Sequence, residues 1–307
     1  LGVWVVLALV TLASRWPYRA RMLYNWDAVQ FALALREFDI AKHQPHPPGY
    51  VLYVGLGRLV NATVADPTLA YVALAMIFSA ATTVTVYWLT RALYGRTTAG
   101  AAAALLAVSP LFWFYGSVGL TYAGEAFGAS LVAAFAYGAL RGNPRALYGC
   151  AVALGLVGGI RQSVLVLLFP LCVACAFLGV RSVRRLVVAA TLMVVGVLSW
   201  FLPMVWLTGG LRPYLRASTQ LYGSVVLPTS VLGGSLDVTL AQARYVLASM
   251  IVGLGPLTLA VFALPLYIRC AGWGRGDWFL VAWIVPPAAF YTLVHFGQAG
   301  YVLTFLP

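Results

Sequence analysis

The chain has 307 residues, of which 63% are hydrophobic and only 8% are charged, and its formal net charge is +12. Soluble domains carry roughly a quarter charged residues, so a soluble protein with a water-facing surface is excluded. At about 20 apolar residues per span, this length predicts an all-α, polytopic transmembrane bundle of about nine spans. The positive charge indicates contacts with membrane lipids and cytoplasmic loops rather than a nucleic-acid partner.

The predicted spans follow one another along the chain and are separated by polar segments. They cover 1–13, 68–93, 97–118, 122–140, 186–208, 245–268 and 278–296, with two more spans inside 146–179 that are divided at 158–162. The short apolar stretch 50–60 predicts a partial or interfacial helix. We expect residues 1–307 to form a single transmembrane domain, truncated at both ends, because the sequence lacks an initiator Met and both termini lie in or near apolar stretches.

The distribution of arginine predicts the orientation of the bundle. Nine arginines lie in alternate short loops, whereas the opposite short loops carry only Arg161. The positive-inside rule assigns the nine arginines to the cytoplasm, so the long polar segments 14–49 and 211–244 lie outside. The four cysteines have no paired spacing, so neither a disulfide nor a metal site is expected. No cofactor motif is present, and no cofactor is predicted.

The long first extracytoplasmic loop, 14–49, holds the most informative residues. Asp27 lies among apolar and aromatic neighbours, where a carboxylate is a functional candidate by default. The alternative is that Asn25 or Asp27 caps a helix that runs to about Leu35. Residues 43–50 read HQPHPPGY and contain two of the three histidines. Since proline lacks a backbone N–H and fixes the preceding residue in an extended shape, this segment predicts a rigid corner.

These features resemble the GT-C glycosyltransferases, multispan enzymes that use polyprenyl-phosphate sugars, and in particular their protein O-mannosyltransferase-like members. The resemblance rests on Trp26-Asp27, then His46-Pro47-Pro48-Gly49-Tyr50, then TYAGEAF at 121–127 in a short outer loop, then GGIRQ at 158–162. It covers roughly residues 1–180 and is thin after that. It implies a helical bundle of the GT-C type over residues 1–307.

The resemblance implies an inverting glycosyl transfer on the extracytoplasmic face. A monosaccharide, with mannose as the candidate, would move from a polyprenyl-phosphate carrier to a hydroxyl of a protein, lipid or glycan. Asp27 matches the loop acid of the family and is expected to act as general base. Gln30 stands where many relatives have a second acid, so Glu125 is the candidate second catalytic residue. A bacterial plasma membrane is favoured over the endoplasmic reticulum.

Several residues are candidates for binding the substrate or its phosphate. Arg161 leads because arginine is always charged and matches phosphate geometry; its alternative is a structural ion pair with Glu125. A helix N-terminus is the alternative role for Glu125. The other candidates are His46, His43, Arg19, Arg21, Tyr122 and Gln162, with Arg212 and Arg216 weaker.

Two other functions compete with the glycosyltransferase. One is a flippase or transporter of lipid-linked sugars, which needs polar residues along a path to both faces. The other is a non-catalytic membrane scaffold subunit, in which Asp27 matters only for folding. The acids and histidines cluster on the outer side, at Asp27, His43, His46, Glu125 and His295. This asymmetry favours chemistry on one face.

Overall fold

The computed structural model describes residues 2–307, except the side chain of Ala271, and within them the chain is helical with no strand. The α-helices are α1 (Val3–Arg15), α2 (Trp26–Ala34), α3 (Val51–Val64), α4 (Pro67–Tyr94), α5 (Arg96–Val108), α6 (Pro110–Tyr115), α7 (Tyr122–Leu140), α8 (Pro144–Val157), α9 (Gln162–Gly179), α10 (Val183–Leu207), α11 (Leu211–Leu221), α12 (Leu227–Thr229), α13 (Leu236–Leu254), α14 (Leu264–Ala271) and α15 (Arg275–Leu293). Short 3₁₀-helices occupy Trp16–Tyr18, Ile40–Lys42, Gly255–Ala263 and Ala299–Thr304, and a π-helix occupies Tyr222–Val226.

Five helical segments are long and apolar enough to cross a membrane. They are Pro67–Tyr94, Tyr122–Leu140, Gln162–Gly179, Val183–Leu207 and Leu236–Cys270. Four further apolar helical segments are shorter: Val3–Tyr18, Val51–Val64, Arg96–Val108 and Pro144–Val157. The chain is therefore an integral membrane protein built from helices, and the number of nine spans stays a prediction.

The structure divides some segments differently from the sequence pattern. The apolar stretch 97–118 is split into α5 and α6 at Ser109, whose hydroxyl accepts from Phe112 N while Pro110 opens α6 without an N–H to bond. The predicted break at 158–162 is found between α8 and α9. The polar segment 211–244 is more helical than expected, because α11 lies within it and α13 begins at Leu236.

Helix α7 lies at the centre of the bundle and packs against α4, α8 and α9. Its buried residues are mostly small, namely Ala123, Gly124, Ala126, Gly128, Ala129, Ser130, Ala133 and Ala136. Small side chains let neighbouring helices approach closely, which is how membrane helices gain packing energy without a hydrophobic driving force. This close packing holds the start of α7, where Glu125 lies, against its neighbours.

Helix α2 is fixed between α3 and α4, which positions the first outer loop. Arg58 of α3 donates from Nη2 to Ala34 O (2.9 Å) and from Nε to Leu35 O (3.1 Å), and so satisfies the last carbonyls of α2. In the middle of α2 the buried Phe31 ring contacts the Tyr50, Tyr53 and Tyr71 rings. The opposite end of α2, which carries Asp27, is therefore held in a defined place.

The contact between α8 and α10 predicts a glycine-specific effect on stability. A Cβ atom at Gly155 would lie 2.7 Å from Met193 O and 3.2 Å from Gly196 Cα, whereas a Cβ at Gly100 meets no atom within 4 Å. We expect Gly155→Ala to lower the free energy of unfolding by about 1–3 kcal/mol through overpacking. Gly100→Ala should leave it unchanged or raise it by up to about 1 kcal/mol. Thermal unfolding in detergent, followed by tryptophan fluorescence, measures both, and equal shifts would contradict the close α8–α10 contact.

Candidate active site

Asp27 lies in the first turn of α2 but does not cap the helix. Asn25 is the N-cap, and its side-chain oxygen accepts from Ala28 N (3.2 Å). The Asp27 carboxylate instead accepts a hydrogen bond at Oδ2 from Gln298 Nε2 (3.1 Å). Its side chain is 28% exposed. The predicted helix cap is therefore confirmed at Asn25 and not at Asp27, whose carboxylate is oriented by one amide and partly exposed.

His46 joins Asp27 to the HQPHPPGY corner. Its Nδ1–H donates to Gln30 Oε1 (2.6 Å), and its Nε2 accepts from the Tyr50 hydroxyl (3.0 Å). The same Nδ1 lies 3.9 Å from Asp27 Oδ1. Gln30, the residue at which this chain departs from the expected second acid, thus fixes the orientation and tautomer of the imidazole.

The environment of His46 keeps its imidazole neutral. Burial is the largest effect and lowers the pKa of His46 to about 4, although the Asp27 carboxylate acts to raise it. The positive charge of Arg161 lowers this pKa further. His46 is therefore an uncharged hydrogen-bonding group at neutral pH. Arg161 lies close enough for its charge to affect the protonation of the imidazole.

Arg161 and Glu125 form a buried ion pair beside this group. Arg161 Nε lies 2.6 Å from Glu125 Oε2, and Arg161 Nη1 donates to Thr121 Oγ1 (2.7 Å). The guanidinium carbon is 4.6 Å from the ring centroids of both Tyr122 and Tyr301. Arg161 is 6% exposed and Glu125 is fully buried. The guanidinium is therefore bound by a carboxylate, a hydroxyl and two aromatic rings at once.

The second oxygen of Glu125 is equally occupied. Its Oε1 accepts from Ser163 Oγ (3.2 Å), Tyr291 OH (2.9 Å) and Thr304 Oγ1 (2.5 Å). These donors come from the start of α9, from α15 and from the final 3₁₀-helix. The arrangement favours the structural alternative for Glu125, an ion pair that holds Arg161 in place.

The break between α8 and α9 places Arg161 and Gln162 under the HQPHPPGY corner. Gln162 Nε2 donates to Pro48 O (3.0 Å) and lies 3.8 Å from Met204 Sδ. Gly49 has a φ of +119°, and a Cβ there would lie 2.8 Å from Ile40 Cδ1. Only glycine allows this backbone to approach its neighbours so closely. The corner is thus compact, and the hydrogen bond from Gln162 to Pro48 attaches it to the start of α9.

The remaining candidates are more dispersed. Tyr122 is buried against Arg161. Arg19 lies over the Trp16 ring at 4.0 Å and donates from Nη1 to Trp16 O (2.8 Å). Arg21 and His43 are exposed. The structure therefore brings together Asp27, His46, Arg161, Glu125, Tyr122 and Gln162, and it leaves Arg19, Arg21 and His43 at the surface.

Sequence reasoning missed the residues that come from the far end of the chain. Gln298, Tyr301 and Thr304 contact Asp27, Arg161 and Glu125 respectively. They lie in the segment FGQAGYVLTF, 296–305, which carries no motif of its own. Within residues 2–307, no group of three His, Cys, Asp or Glu side chains could hold a metal ion.

The fold is shared with known membrane proteins. The chain is similar to ArnT from Cupriavidus metallidurans, a GT-C glycosyltransferase, in its crystal structure bound to undecaprenyl phosphate (TM-score 0.72, 15% identity) and in the apo state (TM-score 0.64, 17% identity). The alignments cover 99% of this chain and 57% and 56% of the two ArnT chains. The chain thus spans little more than half the length of ArnT, and it has the GT-C fold.

A family model identifies the chain more narrowly. Residues 27–184 match the model of the protein O-mannosyl-transferase TMEM260 N-terminal domain. This match covers just over half of the chain, which therefore belongs to that family. It begins at Asp27 and includes His46, Glu125 and Arg161. A search of the curated proteins finds no match.

The buried ion pair predicts a large loss of stability when it is broken. In Glu125→Gln the Arg161 charge stays buried without its counter-ion, and we expect the free energy of unfolding to fall by about 3–5 kcal/mol. Glu125→Gln combined with Arg161→Met should recover part of this loss, because the uncompensated charge is then absent. Glu37→Gln, which breaks the exposed pair with Lys42, should have no measurable effect. Denaturation in detergent compares the variants, and equal stability of Glu125→Gln and Glu37→Gln would refute this role.

The lowered pKa of His46 predicts a pH-dependent contribution to stability. Because the folded pKa of about 4 lies below the unfolded value of 6.5, the unfolded chain binds this proton first as the pH falls. His46 therefore favours folding fully above pH 6.5, and the contribution is lost between about pH 6.5 and pH 4. We expect His46→Gln to lose less stability than wild type between pH 7 and pH 5. The melting temperatures of wild type and His46→Gln are measured as a function of pH, and their difference above pH 7 is the reference. If this difference stays the same between pH 7 and pH 5, the prediction is contradicted.

Proposed function

We propose that this protein is a glycosyltransferase that moves a monosaccharide, with mannose as the candidate, from a polyprenyl-phosphate carrier to an acceptor hydroxyl. The observation that carries the proposal is the Asp27 carboxylate, which is oriented by Gln298, partly exposed, and free of any capping role. Membership of the protein O-mannosyl-transferase TMEM260 N-terminal family favours a protein hydroxyl over a lipid or glycan hydroxyl as acceptor. The undecaprenyl phosphate of the ArnT structure supports a polyprenyl-phosphate carrier.

In this proposal Asp27 is the general base of a single displacement. Its carboxylate accepts the proton of the acceptor hydroxyl while the acceptor oxygen attacks the anomeric carbon. The bond between the anomeric carbon and the phosphate oxygen breaks, and the lipid phosphate leaves with the electron pair. Because attack and departure occur on opposite faces of the same carbon, the configuration inverts. Positive charge close to the departing phosphate lowers the barrier.

The two acids have different proposed roles. Glu125 is fully buried, and both its oxygens already have partners. A group in this state cannot exchange a proton with a substrate in the loop, so we assign Glu125 to positioning Arg161 rather than to direct chemistry. Arg161 in turn contributes its charge to the pocket around His46 and Asp27. This electrostatic role replaces a direct contact of Arg161 with the lipid phosphate.

The other candidates divide by accessibility. His46 lies 3.9 Å from the base and is the substrate-binding group closest to the reaction, whereas Tyr122 and Gln162 support Arg161 and the HQPHPPGY corner. Arg19 and Arg21 lie on the outer loop and suit contacts with lipid head groups. We propose that the reaction takes place on the outer face of a bacterial plasma membrane; the similarity to ArnT from Cupriavidus metallidurans supports this proposal. Residues 1–307 serve as the transmembrane domain of the enzyme.

The central experiment tests Asp27 as the base. Sugar transfer from radiolabelled polyprenyl-phosphate mannose and glucose is measured in membranes that hold the full protein and its acceptors. We expect Asp27→Asn to reduce the rate by roughly 100- to 10,000-fold, because asparagine keeps the hydrogen bond from Gln298 but cannot accept a proton. Glu37→Gln, an exposed acid-to-amide change in the same loop, is the matched control and should retain the wild-type rate.

The outcomes separate the competing functions. Equal transfer by Asp27→Asn and wild type would remove Asp27 as base. If wild type transfers neither sugar but carries lipid-linked sugar across sealed vesicles, the flippase is the better description. If it does neither, and Asp27→Asn only lowers the unfolding temperature, a scaffold subunit is the remaining reading.

A further inference from the structure

A cavity lies on the outer side, between the first outer loop and α11. Its volume is about 470 Å³, and its walls include His43 and Pro47 from the loop and Arg212, Arg216 and Gln220 from α11. Of the residues that line it, all of which lie in the described part of the chain, none is acidic. The cavity therefore has positively charged, neutral polar and apolar walls and no built-in counter-ion.

The two arginines of this cavity have no acidic partner. Arg212 and Arg216 are one helical turn apart, so their side chains lie on the same face of α11. The ion pairs found within residues 2–307 involve Lys42, His46 and Arg161 as cations, and neither Arg212 nor Arg216 takes part in one. Two neighbouring guanidinium groups repel each other, so an anion that binds both of them relieves this repulsion.

The acidic residues that are closest to His43 in sequence already form ion pairs. Glu37 and Asp39 both pair with Lys42, at 2.5 Å and 3.5 Å. Asp39 also accepts from Ala41 N (2.9 Å), which closes the short 3₁₀-helix Ile40–Lys42. His43 follows in the left-handed region, with φ 55° and ψ 42°, a conformation that is unfavourable for a residue with a side chain. Both carboxylates thus have partners in the loop, and neither is among the residues that line the cavity.

Helix α11 is anchored so that the cavity has fixed walls. Tyr214, between the two arginines, is buried and its ring packs on Phe201 of α10 with centroids 5.7 Å apart. Pro47, on the opposite wall, is the residue next to His46, whose imidazole lies 3.9 Å from Asp27. The HQPHPPGY corner therefore contributes one residue to the cavity, Pro47, directly after the residue that lies beside the proposed base.

We propose that this cavity binds the phosphate group of a membrane lipid, through Arg212 and Arg216 on one wall and His43 on the other. Arginine pairs suit phosphate because guanidinium groups donate charge-assisted hydrogen bonds to its oxygens. The phosphate belongs either to a polyprenyl phosphate or to an anionic phospholipid of the surrounding leaflet. The first source rests on the proposed function, whereas phosphate binding as such does not.

Ligand-induced thermal stabilisation of the full chain in detergent tests the site. The probes are undecaprenyl phosphate, dioleoylphosphatidylglycerol, and undecaprenol, which has the same tail without a phosphate. We expect Arg212→Gln combined with Arg216→Gln to weaken binding of undecaprenyl phosphate at least roughly ten-fold, since two charge-assisted hydrogen bonds are lost. Arg184→Gln combined with Arg244→Gln removes the same charge from residues outside the cavity and should bind as wild type does.

Two further variants distinguish a loss of lipid binding from a loss of folding in the glutamine pair. Arg212→Lys combined with Arg216→Lys keeps the charge and should bind better than the glutamine pair. Ser224→Glu adds a carboxylate to the cavity wall and should weaken binding without removing either arginine. Asp27→Asn should bind undecaprenyl phosphate as wild type does, so a failure of sugar transfer and a failure of this site can be told apart.

Each outcome decides the proposal. Loss of undecaprenyl phosphate binding alone in the glutamine pair assigns the cavity to the donor lipid, and loss of both anionic lipids assigns it to lipid phosphate in general; both support the site. Equal binding by the glutamine pair and the matched control pair would overturn it. So would equal stabilisation by undecaprenol and undecaprenyl phosphate, because the tail would then account for the binding.

Discussion

A guanidinium and a carboxylate that are both removed from water meet 2.6 Å apart, at Arg161 and Glu125. Neither charge is tolerable in a membrane-embedded bundle without the other. The ion pair recruits hydroxyl groups from α9, α15 and the last 3₁₀-helix, and aromatic rings from α7 and the chain end. Segments as distant in sequence as 121 and 304 are thereby held at one point, and the candidate site is assembled around it.

The candidate site consists of a buried part and a part that is accessible to solvent. Arg161 and Glu125 have little contact with solvent and act through charge and position, whereas Asp27 is partly exposed and available to a substrate. His46 connects the two parts, because its imidazole contacts Gln30 and Tyr50 and stays neutral in a pocket that feels both Asp27 and Arg161. In the proposed reaction, the bond-forming step at Asp27 proceeds in an electric field that the buried pair sets beforehand.

Several sequence-based predictions agree with the structure for identifiable reasons. The helix break at 158–162 was readable because two glycines and two polar residues interrupt an apolar run. The family membership and the GT-C fold agree with the resemblance that rests on Trp26-Asp27 and the HPP corner. The hydropathy of 97–118 predicts one span although α5 ends before Ser109-Pro110, since a single proline does not interrupt hydrophobicity. The helical content of 211–244 was missed because its amphipathic pattern reads as polar.

Composition and short motifs by themselves determined a helical membrane protein and its family, because hydropathy and local spacing depend only on neighbouring residues. How the Asp27 carboxylate is oriented, and whether Glu125 faces substrate or Arg161, depended on which side chains approach from elsewhere. Gln298, Tyr301 and Thr304 decide these points, and they lie more than 170 residues beyond Glu125 or more than 270 beyond Asp27. Only the tertiary structure brings these atoms together, because hydrogen bonds and ion pairs act over a few ångströms in space and leave no periodic signal in the chain.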